Sequence, residues 1–186
     1  MKKIVVLAWL SLDGYFSGPA GETGWFVSDE EIQQYLLRSF STVDTILMGQ
    51  VTYNLFVSYW PTPASLEENP VELIDFMNNS RKIVFSSTLQ NVSWNNAEVI
   101  KSADETEIKK IKQGAGKDII IFGSGSIVSR LTKLKLIDEY RFIINPVFLG
   151  TGKTIFKHDE AKSALKLADS KRFGCGNMLL QYELKK

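Results

Sequence analysis

The sequence is poor in residues that bind metals or cross-link chains: its 186 residues include a single cysteine, Cys175, and a single histidine, His158. An internal disulfide needs two cysteines, and a structural zinc site draws four ligands mainly from cysteine and histidine, so both are excluded. An excess of either charge is missing too. With 22 basic and 21 acidic side chains the formal net charge is +1, so no broad basic field suits nucleic acid or an acidic membrane surface. Long apolar runs are also lacking. The run from Ile4 to Leu10 is soon interrupted by Ser11-Leu12-Asp13-Gly14, too early for a membrane span or a signal peptide. These absences predict a cytoplasmic protein without a metal, whose small-molecule partner is held by local groups.

What is present is an alternation of apolar runs and helical patterns, consistent with one domain over residues 1–186. Ile4 to Leu10, Thr45 to Met48, Lys82 to Phe85, Glu98 to Ile100 and Ile119 to Phe122 read as strands buried on both faces. Ser28-Asp29-Glu30-Glu31 reads as a capping box, with Ser28 as N-cap of a helix burying Ile32, Tyr35, Leu36 and Phe40. Ser102 and Glu105 suggest a second box, on a helix stopped by Gly114. Asn69 is the expected cap of a helix starting at Pro70, after a polar loop from Pro61. Near the carboxyl end Glu139 to Val147, Ala164 to Phe173 and Asn177 to Leu184 read as strands without helices between them, expected to pair antiparallel along one side of the sheet. The predicted class is α/β: a three-layer fold with a central, mostly parallel sheet, antiparallel carboxyl-terminal strands and helices on both faces.

The most informative stretch runs from Ile119 to Val128, where a buried strand breaks at Gly123-Ser124-Gly125-Ser126 and a helix begins with Ile127, Val128, Leu131 and Leu134 on one face. Such a turn suits either a plain bend or a phosphate held by free helix-terminal N–H groups. The spacing is not the dinucleotide fingerprint of a Rossmann domain, because Val128 stands where its third glycine belongs. Two other strand ends have similar chemistry. Gly49 and Gln50 lead into a helix carrying Thr52, and Ser86-Ser87 follow Phe85. Three such ends at the carboxyl edge of a parallel sheet point to a dinucleotide. The loop after the first strand adds Asp13, Gly14 and Trp25 as candidate site residues. Asp13 and Glu30 are the candidate proton carriers, beside the readings that Asp13 caps its own turn and that the helix dipole alone accounts for acidic residues in a first turn.

Ser11-Leu12-Asp13-Gly14, Met48-Gly49-x-x-Thr52-Tyr53, Val84-Phe85-Ser86-Ser87-Thr88-Leu89, Phe122-Gly123-Ser124-Gly125 and Pro146-Val147-Phe148-Leu149-Gly150-x-Gly152 occur in this order over nearly the whole chain. Together they resemble the dihydrofolate reductase superfamily. The likeness is greatest to the RibD C-terminal branch, the reductase domain of the bifunctional riboflavin-biosynthesis protein. The resemblance implies an NADPH-dependent reductase, usually a homodimer, acting on a pyrimidine such as 5-amino-6-(5-phosphoribosylamino)uracil. The alternatives are a pterin substrate or a nucleotide-binding dimer without catalysis. It also implies that Ala8 and the Asp13-Gly14 loop lie by the nicotinamide, with Asp13 and Trp25 near the substrate. Gly49, Gln50 and Thr52 would hold phosphate, Ser86 and Ser87 the adenosine side, and Gly123, Ser124, Gly125, Ser126 and Ile127 the pyrophosphate. Family members commonly have Arg or Lys where this chain has Gln50, which leaves NADH open beside NADPH, with Arg81 or Lys82 as substitutes for the missing cation. The zinc deaminase domain of the bifunctional protein cannot be built from one histidine and one cysteine.

Overall fold

The computed structural model describes residues 1–156 and 162–185. The apolar runs become strands of one eight-stranded sheet: β1 (Ile4–Ser11), β3 (Val43–Gly49), β4 (Arg81–Phe85), β5 (Ala97–Ile100), β6 (Asp118–Phe122), β7 (Glu139–Asn145), β9 (Leu165–Arg172) and β10 (Met178–Leu184). Their order is β5-β4-β3-β6-β1-β7-β10-β9. The first six pair in parallel, and β10 is antiparallel to both β7 and β9. β10 is therefore the one strand that runs against the rest. The last three strands thus pair antiparallel with one another along one side of the sheet, as expected, and β7 joins them to the parallel part through β1. Tyr15–Ser17 (β2) and Lys153–Thr154 (β8), both expected in loops, form a small antiparallel pair.

Alternation along the strands sends successive side chains to opposite faces, where two cores form. Ile4, Val6, Ala8, Ile119 and Ile121 pack against α5 (Glu105–Gln113) and α6 (Gly125–Lys133) through Ile108, Ile111, Val128 and Leu131. Leu7, Ile46, Met48, Ile120 and Ile143 face α1 (Glu30–Phe40), α2 (Gln50–Val57) and α4 (Val71–Asn79) through Ile32, Phe40, Tyr53 and Met77. Three layers result.

Several helix starts differ from the sequence reading. Asp29, not Ser28, caps α1 and accepts from the Ile32 N–H at 2.9 Å. Asp104, not Ser102, caps α5 and accepts from the Glu107 N–H at 3.0 Å. In both cases a carboxylate nearer the first helical residue wins the free amide. Pro70 rather than Asn69 is the N-cap of α4, and the expected loop from Pro61 contains α3 (Pro63–Glu68). There Thr62 precedes a proline at the first position, a favourable start. Among the described residues no helix is long and apolar enough to cross a membrane.

Candidate functional site

A cleft of about 520 Å³ opens at the carboxyl ends of the outer parallel strands. Gln50 follows β3, Phe85 ends β4 with Ser86 to Thr88 after it, and Lys101 to Ala103 follow β5. The remaining wall is α6, which contributes Ser126, Ile127, Ser129, Arg130 and Lys133. Its polar side chains recur at i, i+3, i+4 and i+7, a stripe along one helix face, while Val128 and Leu131 are buried in the core. Three cationic side chains and many hydroxyls thus surround a cavity with no acidic lining residue among those described. This donor set fits an anionic ligand, phosphate above all.

The cleft is held by bonds between strand ends far apart in sequence. The Gly49 N–H donates to Ser124 Oγ at 2.9 Å, joining the starts of α2 and α6. A side chain at Gly49 would bring its Cβ to 3.2 Å from Ser126 Oγ and 3.4 Å from Ser124 Oγ, so glycine permits the approach. Ser86 Oγ donates to Gln50 Oε1 at 2.6 Å and accepts from the Leu89 N–H at 2.9 Å, while Thr88 Oγ1 donates to the same Gln50 oxygen at 2.9 Å. Neither α2 nor α6 has a side chain capping its first turn, and neither has an acidic residue there. Two helix N-termini, with their partial positive charge, therefore meet beside the cleft.

Of the residues expected to hold the cofactor, Gln50, Ser86, Ser87, Ser126 and Ile127 line this cavity. Gly49, Thr52, Gly123, Ser124 and Gly125 do not line it, and Ala8 is buried in the core below. Gly123 has φ +49, a left-handed turn that favours glycine, and a Cβ on Gly125 would meet the Phe16 ring at 3.2 Å. These glycines are required by the fold whatever they bind. Neither proposed replacement for the missing cation reaches the cleft. Arg81 pairs with Glu98, and buried Lys82 donates to the carbonyls of Asn78, Ser80 and Asn95. The cationic side chains that do line the cleft are Lys101, Arg130 and Lys133, and Arg130 Nε donates to the Ala103 carbonyl. The α6 stripe was visible in the sequence as their signal. Lys101 has no such signal, because only the fold brings the end of β5 to α6.

A second, closed region sits at the ends of β1 and β7. Asp13 accepts from Ser11 Oγ at 2.6 Å and from the Gly150 N–H at 2.8 Å, and it also accepts from the Leu149 N–H. The Ser11 hydroxyl and these amides hold its carboxyl below the usual carboxylate range. Asp13 is thus an ionised anchor between two loops, and Gly14 makes the turn behind it with φ +89. Glu30 is exposed and accepts from Gln34 Nε2 at 3.1 Å. Neither lines the cleft. Trp25 packs edge-on to Phe26, whose ring stacks on Trp9 with centroids 5.2 Å apart and planes at 14°. Among the described residues no group of histidine, cysteine and carboxylate side chains could hold a metal ion.

The RibD C-terminal domain model matches residues 2–179. The chain is 31% identical to the uncharacterized protein YyaP of Bacillus subtilis (strain 168) over 97% of this chain and 94% of that protein. It is 25% identical to the uncharacterized protein YwjB of the same organism over 93% of each. Its fold is similar to that of a protein assigned to riboflavin biosynthesis from Shewanella sp. PV-4, with TM-score 0.79 and 20% identity over 99% of both chains. A diaminohydroxyphosphoribosylaminopyrimidine deaminase/5-amino-6-(5-phosphoribosylamino)uracil reductase from Thermotoga maritima matches with TM-score 0.70 and 14% identity, over 99% of this chain and 57% of that one. The motif order, the three-layer sheet and the extent of the family match agree: the chain belongs to the RibD C-terminal domain family.

Proposed function

We propose that the protein is an NADPH-dependent reductase of a small planar heterocycle, a pyrimidine of the 5-amino-6-(5-phosphoribosylamino)uracil type. The observation that carries the reading is the cleft itself, rich in hydroxyls and cations, without an acidic lining residue among those described, and set at the carboxyl ends of parallel strands. Open α/β sheets bind nucleotides at such edges. Lys101 and Arg130 are suited to a phosphate on the adenosine ribose, which takes over the role that Gln50 cannot fill. Gln50, Ser86 and Thr88 form the adenosine wall, and the start of α6 faces the phosphates. When bound, the cofactor supplies a hydride to a C=N or C=O bond of the substrate. The chain's residues orient it, and the aromatic strap of Trp25 and Phe26 keeps water from the ring end. Ionised Asp13 fixes the loops there and does not donate the proton, which reaches the substrate nitrogen or oxygen from water. A homodimer accords with this reading.

Fluorescence titration with NADPH and NADH tests the proposal. Binding of NADPH about 100-fold tighter than NADH is expected, the size of two charge-assisted contacts to one phosphate. Oxidation of NADPH is then followed with aminopyrimidine and pterin substrates. Failure to bind either nucleotide at millimolar concentration overturns the reading. Binding without oxidation of any substrate supports the non-catalytic alternative.

A further inference from the structure

Two buried asparagines meet at the ends of β7 and β10, where the register places Met178 opposite Ile144. Both Asn145 and Asn177 have 0% exposure, and both hold the backbone of Val27, the residue after Phe26. Asn145 Oδ1 accepts from the Val27 N–H at 2.9 Å, and its amide group donates to the carbonyls of Leu10 at 3.3 Å and Ile143 at 3.2 Å. Its donor side is therefore tied to the sheet. Asn177 Nδ2 donates to the Val27 carbonyl at 2.6 Å, but its Oδ1 is the one buried side-chain polar atom without a hydrogen-bond partner among those described. A buried acceptor left unmatched bears the cost of losing water. The two halves of the clamp are thus unequal.

We propose that Asn145 and Asn177 are positioning residues for a strap, residues 18–29, and that Asn177 is the side that lets go. Release gives Oδ1 access to water and relieves its burial. It also lifts Phe26 from Trp9, so that a planar heterocycle takes the place of the stacked ring. The ends of the strap are fixed: Ser17, just before it, pairs with Lys153 in the β2–β8 ladder, and Asp29 accepts from the Cys175 N–H at 2.9 Å. Between these points Val27 is the clamped residue, so the motion is confined to Trp25, Phe26 and their neighbours. This gate rests on the reductase reading for its ligand class, but not for its mechanics.

The test compares wild type with Asn177→Leu, which removes both the donor and the unmatched acceptor at similar volume. Hydrogen exchange of a peptide covering Phe26 and Val27 is expected to quicken about tenfold, the size of one ordinary hydrogen bond, while β1, β7 and β10 stay protected. With NADPH present, 5,6-diaminouracil is the ring probe, read by tryptophan quenching in stopped flow. Its association rate is expected to rise severalfold and its dissociation rate to rise more, whereas NADPH affinity stays within about twofold. A merely structural role would not speed association. Unchanged exchange, exchange that quickens throughout the sheet, or a slower association overturns the gate. A probe that quenches no tryptophan overturns ring entry between Trp9 and Phe26. Loss of NADPH binding by wild type refutes the reductase reading, while the exchange comparison still decides the clamp.

Discussion

The carboxyl ends of β3, β4 and β5 and those of β1 and β7 belong to one sheet, yet they are finished in opposite ways. The outer ends leave an open cleft whose hydroxyls and cations point at a ligand space. The inner ends are closed by a strap, an aromatic stack and two buried asparagines. The difference teaches how charge and ring recognition divide over one fold. On the reductase reading, phosphate would meet exposed cations and hydroxyls, groups that exchange water for ligand oxygens easily. A flat ring needs a dry slot, which an empty protein fills with its own side chain. The division is broken most directly at Lys101 and Arg130. The double variant Lys101→Ala/Arg130→Ala is expected to weaken NADPH about 100-fold and NADH less than threefold in a fluorescence titration, because two charge-assisted contacts to one phosphate are lost. Equal losses for both nucleotides would place the cations on the shared pyrophosphate instead.

The next effect separates the scaffold of the cleft from its chemistry. Ser124→Ala leaves the buried Gly49 N–H without its partner, and an unmatched buried donor costs about 1–3 kcal/mol. The urea midpoint is expected to fall accordingly, with NADPH affinity reduced by less than the cation variants reduce it. A normal midpoint would mean that the junction between α2 and α6 is held by packing alone.

These two positions also show what the sequence makes readable. Strand runs such as Ile119 to Ile121 and the glycine turns are local, so the sheet and its strand ends at Gly49, Ser86 and Gly123 follow from residue order. The Gly49 contact with Ser124 spans 75 positions and the Asn177 contact with Val27 spans 150, and no local pattern reports either. The helix caps fail for a related reason. Ser28 and Asp29 compete for one amide, and the carboxylate of Asp29 is further fixed by the Cys175 N–H, 146 positions away. Pro61 to Asn69 looks like a loop because its residues are polar, but Pro63 at a helix start needs no apolar face. The polar stripe of α6, Ser126, Ser129, Arg130 and Lys133, is as regular in the sequence as the apolar one beside it.

Lys82 tests whether the foot of the outer half is independent of its cleft. It lies at the amino end of β4, the strand that leads to Ser86, with its Nζ 4.5 Å from the centre of the Trp94 ring. Burial pushes its pKa down to about 8. Below pH 8 the amine is charged in both folded and unfolded chains, and folding carries the cost of burying it. Between pH 8 and the ordinary lysine value the unfolded chain binds the extra proton, so stability rises with pH. The gain is on the order of 1 kcal/mol, less than the whole shift because three carbonyls favour the cation. Wild type minus Lys82→Met in urea unfolding at pH 7.5 and 9.5 isolates it. NADPH affinity is expected to stay flat over that range, and a parallel change would couple the foot to the cleft.

The smallest effects lie at the start of α1, where two adjacent carboxylates have different tasks. Asp29 caps the helix and takes the Cys175 N–H, and these amides hold its carboxyl below the usual range, the Ile32 N–H most strongly. A lowered carboxylate contributes stability above the unfolded value near pH 4 and loses it as acid protonates the folded group. The difference between wild type and Asp29→Ala is therefore expected to be full at neutral pH and to fade below about pH 4. Glu30 projects into solvent and bonds only Gln34 among its described partners. Glu30→Gln keeps that length and polarity, so turnover and the urea midpoint should both stay at wild-type values. A fall in turnover with NADPH affinity intact would restore Glu30 as a proton carrier. It would also require the closed end to open wider than the strap around Val27 allows, joining the two halves that the geometry keeps apart.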